Sequence, residues 1–106
     1  MKSFKLANKT YSNNSLPYII AEVGVNHNNS LEEAKKMILS AKNAGATGVK
    51  FQTYKAEKIA AKDSPYYWDL KMESSTNQYD FFKKWDQFSE NDYVECAKYA
   101  NSIGID

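Results

Sequence analysis

The chain has 106 residues, 42% of them apolar and 14% aromatic, with a formal net charge of +1. That is enough for one small packed domain and argues against a wholly disordered chain, and the near-neutral balance gives no electrostatic case for nucleic acid or an anionic membrane. All 14 basic residues are lysine, so bidentate guanidinium recognition of phosphate or carboxylate is excluded.

The elements follow in chain order. Phe4 to Ala7 and Thr10-Tyr11, joined through Asn8-Lys9, predict a small hairpin. Met1-Lys2 leads into polar residues rather than an apolar leader. After the polar stretch Ser12 to Ser15, Pro17 opens an apolar run, Tyr18 to Val23, interrupted only by Glu22. Its lack of polar alternation predicts a parallel strand buried on both faces. Gly24 to Asn29 is a Gly- and Asn-rich turn.

Ser30 and Glu33 have the spacing of a capping box, and Leu31, Ala34, Ile38 and Ala41 form an apolar helical stripe. Glu32 and Lys36 are placed to pair, and Gly45 ends the helix. Gly48 to Phe51 is the next strand. Strand, helix and strand make a right-handed βαβ unit, in which the small residues Ala41, Ala44, Gly45, Ala46 and Gly48 allow close approach of helix and sheet. A short helical turn at Ile59 to Ala61, a break at Asp63 to Pro65, and a helix over Asn77 to Phe88 follow. Ser89 with Asp92 caps a last helix bearing Tyr93, Cys96, Ala97 and Ala100, and Gly104 stops it. Ile105-Asp106 then has room only for the beginning of a third strand. Two parallel strands leave faces and edges uncovered, so the expectation is the N-terminal piece of a larger barrel or open sheet.

The single cysteine, Cys96, permits no intramolecular disulfide and reads as a small apolar or boundary residue of a helix in a reducing, cytoplasmic setting. No apolar run approaches the roughly 20 residues that cross a bilayer.

Parallel-sheet enzymes place their chemistry at the carboxyl ends of the strands. Glu22 lies near one such end, and Lys50 and Gln52 lie at the other, two residues apart and thus on one side of an extended chain. Glu22 can bind a hydroxyl, exchange a proton or pair with lysine. Lys50 can hold an anion or form a Schiff base. A Glu22–Lys50 ion pair that merely closes the sheet end is the plain structural alternative, disfavoured by the cost of burying it. Asn26 can contact a ligand or hold the turn. His27, the only histidine, has no metal-binding spacing around it and reads as a loop residue whose ring is satisfied by backbone. Gly-rich dinucleotide and P-loop motifs are absent. The aromatics Tyr66, Tyr67, Trp68, Phe81, Phe82 and Trp85 lack a basic surround and read as core or subunit-interface packing.

Two blocks carry a specific resemblance: YIIAEVGVNHNNS from Tyr18 to Ser30 and AGATGVKFQTYKAE from Ala44 to Glu57. With YYWDL at Tyr66, QYDFFKK at Gln78 and YANSIGI at Tyr99, nearly the whole chain resembles the start of the sialic acid synthase family, which spans N-acetylneuraminate, legionaminate and pseudaminate synthases and spore-coat polysaccharide proteins. The resemblance implies the first part of a (β/α)8 TIM barrel over residues 17–106, preceded by a hairpin and lead-in over residues 1–16. It implies a cytoplasmic, homodimeric transferase that condenses phosphoenolpyruvate with an N-acylated aminosugar, using manganese or magnesium. Water attacks C2 of phosphoenolpyruvate and no Schiff base forms. Glu22 then matches a glutamate near the reacting centre, Lys50 a lysine on phosphoenolpyruvate, and Gln52 a contact to the aminosugar. Asn26 and His27 match the family turn, as pocket-shaping and supporting residues. Asn29 stands where the family commonly has glycine, which left-handed Asn geometry tolerates. The metal ligands expected of the family are not in this chain, so a divalent metal would be held elsewhere in the barrel, and the chain alone is expected to be inactive. A lysine-dependent aldolase on a similar barrel, and an inactive or interaction-only fragment, are the competing readings.

Overall fold

The structure, a computed structural model, describes residues 2–106; Met1 lies outside the described residues. β1 (Ser3–Leu6) and β2 (Lys9–Ser12) pair antiparallel as the expected hairpin, a sheet of their own, with the turn one residue earlier than predicted. Their two-residue turn places Ala7 at φ 45° and Asn8 at φ 64°, the left-handed pair that matches strand twist in tight hairpins.

β3 (Ile20–Gly24), α1 (Leu31–Asn43) and β4 (Gly48–Phe51) form the parallel unit. The strand starts later than the apolar run suggested, and only one of its faces is covered. Ala21, Val49 and Phe51 pack onto the helices, whereas Ile20, at 55% exposure, and the neighbouring Glu22 and Lys50 face away from them. A continuous apolar run does not reveal which face a sheet leaves open.

Helix α1 buries Ala34, Ile38 and Ala41, and Leu31 packs beside them, as the stripe required. Its cap is half of the expected box. The Ser30 hydroxyl accepts from the Glu33 N–H at 3.2 Å, but the Glu33 carboxylate turns to Lys36 at 2.8 Å. Lys36 also takes Glu32 at 3.2 Å, as the i,i+4 spacing predicts. Ala44 caps the end and Gly45 follows at φ 88°.

After β4 come a single turn, α2 (Ala56–Ile59), earlier than predicted, and α3 (Gln78–Trp85), capped by Asn77 and shorter than predicted. The buried carboxylate of Asp86, beyond α3, accepts the Ala56 N–H at 2.9 Å. This fixes the start of α2 from a distance and satisfies a donor that its own N-cap, Lys55, cannot. Tyr66, Tyr67, Trp68, Phe81 and Phe82 form a satellite cluster rather than a core, with Tyr67 76% exposed: Trp68 meets Phe81 at 4.7 Å and Tyr67 at 5.2 Å, and its indole N–H donates to the Ser75 carbonyl.

α4 (Glu90–Ile103) has the full Ser89–Asp92 capping box and ends on Gly104 at φ 74°. It packs against α1, joining Cys96, Ala100, Phe88 and Ile105 to the α1 stripe in one core. Ala97 is exposed, at the border of that stripe. The chain then turns back to the sheet: the Asp106 N–H donates to the Thr47 carbonyl at 3.1 Å, and the Val49 N–H to the Asp106 carbonyl at 2.8 Å. That alternation is the bonding of a parallel pair, so Asp106 begins to extend the sheet beyond β4, while the Ile105 N–H still bonds the Ala100 carbonyl at the end of α4. A hairpin followed by alternating strands and helices, added to the sheet in chain order, is the α/β pattern of part of a (β/α)8 barrel.

Candidate functional site

The carboxyl ends of β3 and β4 are shaped by one irregularity. The ladder runs Ile20–Gly48, Ala21–Val49 and Glu22–Lys50, then slips so that Gly24 opposes Phe51 and Val23 has no partner. Gly24 stands at φ 61°, and the β-bulge it permits bends the strand end. The Gln52 N–H still reaches the Gly24 carbonyl at 3.1 Å, which keeps Gln52 in line with β4.

Three of the predicted residues meet here. Glu22 Oε2 lies 2.6 Å from Lys50 Nζ, with the side chains 48% and 59% exposed. Burial cost, the sequence argument against an ion pair, therefore does not apply, and an exposed pair of this kind contributes about 0–1 kcal/mol. A Cβ placed on Gly24 would stand 3.8 Å from Glu22 Oε1 and 3.7 Å from Gln52 Oε1. The carboxylate and the amide thus flank one notch above Gly24, with the ammonium on the far side of the carboxylate. A carboxylate and an amide across one notch, with an ammonium paired to the carboxylate, can hold an anion beside a hydroxyl-bearing group.

Asn26 is not part of this trio. It lines an open depression of about 370 Å³ between β3 and α1 with Met37, Ser40 and Ala44, which the chain at Glu22 borders and Lys50 and Gln52 do not. Its side chain is exposed and has no hydrogen-bond partner among the described residues. His27 lies fully buried beneath the turn, its Nδ1 accepting the Asn29 N–H at 3.2 Å. The expected backbone partner is present for one nitrogen only. Burial pushes the ring's pKa below its ordinary value, against an opposing pull from Asp92.

Sequence reasoning missed the parts that orient the trio. Gly24 was read as a turn residue, although a glycine directly after an apolar strand is a recognisable bulge signal. Tyr93 gives its hydroxyl to the Gln52 carbonyl at 3.1 Å, tying α4 to the strand end, and helical periodicity marks it only as apolar. Asn29, at φ 60°, donates Nδ2 to the Lys84 carbonyl at 2.8 Å and so straps the turn to α3. Glycine at this position cannot make that bond. Cys96 is buried in α4 with its thiol pushed up by burial, as a structural cysteine should be.

Among the described residues no group of three His, Cys, Asp or Glu side chains could hold a metal ion, and no helix is long and apolar enough to cross a membrane. Glu22, the carboxylate at the strand ends, already faces an ammonium, which makes it a poor cation ligand.

The chain is 41% identical over 91 residues to the N,N'-diacetyllegionaminic acid synthase of Legionella pneumophila, covering 84% of this chain and 25% of that protein. It is 37% identical over 91 residues to the N-acetylneuraminate-9-phosphate synthase of Homo sapiens, covering 83% of this chain and 24% of that protein. The crystal structure of the N-acetylneuraminic acid synthetase of Leptospira borgpetersenii superposes with a TM-score of 0.75 at 25% identity, over 98% of this chain and 32% of that one. The chain therefore spans about a quarter of the length of the curated relatives it matches. A family model described as the NeuB family matches residues 37–106. That match takes in the second half of α1, β4 with Lys50, Gln52 and all of α4, and by it the chain belongs to the NeuB family.

Proposed function

We propose that this chain supplies one wall of the active site of a phosphoenolpyruvate-dependent nonulosonic acid synthase, which joins phosphoenolpyruvate to an N-acylated aminosugar. The observation that carries the reading is the register-matched Glu22–Lys50 pair at the ends of adjacent parallel strands, with Gln52 across the Gly24 notch, in a chain of this family. Residues 17–106 are assigned to the barrel and residues 1–16 to a separate hairpin. The whole protein would act as a homodimer.

In this reading the Lys50 ammonium exchanges part of its pairing with Glu22 for the anionic groups of phosphoenolpyruvate. A half-exposed pair can do so at small cost, because the pair itself is weak. The freed carboxylate turns to a sugar hydroxyl or the attacking water, and Gln52 offers its amide to the sugar from the other side of the notch. Asn26 shapes the approach along the α1 side of Glu22, and His27 supports the turn from below. The divalent manganese or magnesium of the family has no ligand set among the described residues and would be held elsewhere in the barrel.

A lysine-dependent aldolase fits less well. Imine-forming lysines are activated by desolvation or by a second cation, whereas Lys50 is half exposed beside a carboxylate. The test is phosphate release from phosphoenolpyruvate by the whole gene product with a panel of N-acylated aminosugars. Sugar-dependent release that falls in Lys50→Ala and Gln52→Ala supports the assignment. Borohydride trapping of a keto substrate on Lys50 would sink it.

A further inference from the structure

The buried ring beneath the turn has an arrangement that tolerates only one protonation state. His27 has no exposed surface, stacks on Phe88 with ring centres 4.1 Å apart, and lies 5.9 Å from the Phe51 ring. Because Nδ1 accepts the Asn29 N–H, Nδ1 carries no proton and the neutral ring holds its hydrogen on Nε2. That Nε2 has no hydrogen-bond partner among the described residues. A second proton must therefore enter at Nδ1, where a backbone N–H already points. Two donors would then face each other, and the resulting cation would sit in an aromatic slot without a hydrogen-bond acceptor.

The charges around the ring do little to relieve this. Asp92 on α4 favours the cation, but burial outweighs it. The other groups on neighbouring elements are committed elsewhere: Lys50 of β4 to Glu22, Tyr93 of α4 to the Gln52 carbonyl, Glu33 of α1 to Lys36, and Lys84 of α3 to Glu73. Asp86, beyond α3, bonds the Ala56 N–H and Gln87.

The turn above the ring needs holding. Asn28 and Asn29 stand at φ 51° and 60°, and non-glycine residues adopt that region at a cost. Beside the Asn26 N–H to the Val23 carbonyl and the Asn28 N–H to the Val25 carbonyl, both at 3.1 Å, three restraints converge on His27 and Asn29: the Asn29 N–H to Nδ1, the Ser30 N–H to the His27 carbonyl at 2.9 Å, and Asn29 Nδ2 to the Lys84 carbonyl.

We propose that neutral His27 is an acid-sensitive latch on the turn between β3 and α1: proton uptake at Nδ1 expels the Asn29 N–H, and the turn opens, releasing Asn26 and the Ser30 cap. The inference rests on the fold and is independent of the proposed reaction. The open turn hydrates the ring and takes the proton readily, whereas the closed turn does not. The opening constant therefore rises by up to tenfold per pH unit below about 6.5, until the closed form is itself protonated.

Nitrogen NMR of the whole gene product, with the His27 ring assigned through the backbone of the turn, reads the ring tautomer. Amide exchange at Asn29, divided by the intrinsic rate at each pH, gives the opening constant. The expected result is the Nε2–H tautomer at neutral pH and an Asn29 opening constant that climbs as pH falls. In His27→Phe, which keeps the stacking but removes the acceptor, opening should be greater at neutral pH and flat with pH. An Nδ1–H tautomer, an ordinary titration with unchanged Asn29 opening, or a solvent-exposed ring at neutral pH would each overturn the latch. The wild-type titration decides alone should the variant not fold.

Discussion

The hydroxyl of Tyr18 occupies the space that a side chain on Gly48 would need. A Cβ built there stands 2.6 Å from the hydroxyl oxygen and 3.1 Å from the ring, while the hydroxyl donates to Asp106 Oδ2 at 2.9 Å. The glycine thus lets the aromatic ring lie across the start of β4 and reach the segment that continues the sheet. Gly48→Ala should displace the ring and cost about 1–3 kcal/mol, in the range of overpacking. Urea unfolding measures this, and a Tyr18→Ala background should remove most of the penalty. An equal cost in both backgrounds would put the strain in the backbone instead.

The Glu22–Lys50 pair should matter far more to activity than to folding. Each side chain is about half exposed, so Lys50→Ala should change stability by less than about 1 kcal/mol. If the ammonium holds a substrate anion, its loss removes a charge-assisted bond worth about 1.5–3 kcal/mol, or roughly 10- to 100-fold in kcat/KM. Lys50→Arg should recover little, because a guanidinium fork does not fit a point-charge role. Steady-state kinetics of the whole gene product beside thermal unfolding separates the two effects. A loss of stability matching the loss of activity would return the pair to a structural role.

The βαβ unit was legible because each of its signals is local. Ser30 caps, Ala34, Ile38 and Ala41 repeat at helical spacing, and Gly45 stops the helix, with no competing demand on any of them. Residues 105–106 could be placed as a strand start for the same reason, since Gly104 ends α4 before them. The site was legible only as an end point: sequence located Glu22, Lys50 and Gln52 but not the notch between them. The notch depends on the slip at Val23 and on the left-handed Gly24, and a slip is a relation between strands that neither strand's sequence states. Asp86 shows the same limit. Its carboxylate caps α2 from 30 residues away, so no window around α2 contains the residue that starts it.

Asn29 combines two roles that substitution can separate. Its backbone is left-handed at φ 60°, and its side chain bonds the Lys84 carbonyl. Asn29→Gly relieves the backbone and loses only the strap, so its cost should stay near 1 kcal/mol. Asn29→Ala loses the strap and keeps the strain, and should cost about 1 kcal/mol more. Denaturant unfolding of the two variants gives the order. Alanine tolerated as well as glycine would mean that the turn relaxes out of the left-handed region.

The cap of α4 supplies a pH-dependent element whose sign follows from its bonds. The Asp92 carboxylate accepts the Ser89 N–H at 2.8 Å and the Ser89 hydroxyl at 2.7 Å, and these hold its pKa below the ordinary aspartate value. A group with a depressed folded pKa stabilises the fold above its unfolded pKa, near 3.9, and loses that contribution as pH falls through the folded pKa. Ser89→Ala removes the hydroxyl, which also accepts the Asp92 N–H at 3.2 Å, and should cost about 1 kcal/mol at neutral pH. Below about pH 4 the difference between wild type and variant should shrink as the carboxylate protonates. It should not vanish, because the hydroxyl still accepts the Asp92 N–H when the carboxylate is neutral. Paired urea titrations at pH 7 and at about pH 3 test this, and a constant difference would show that the serine acts through the backbone bond alone.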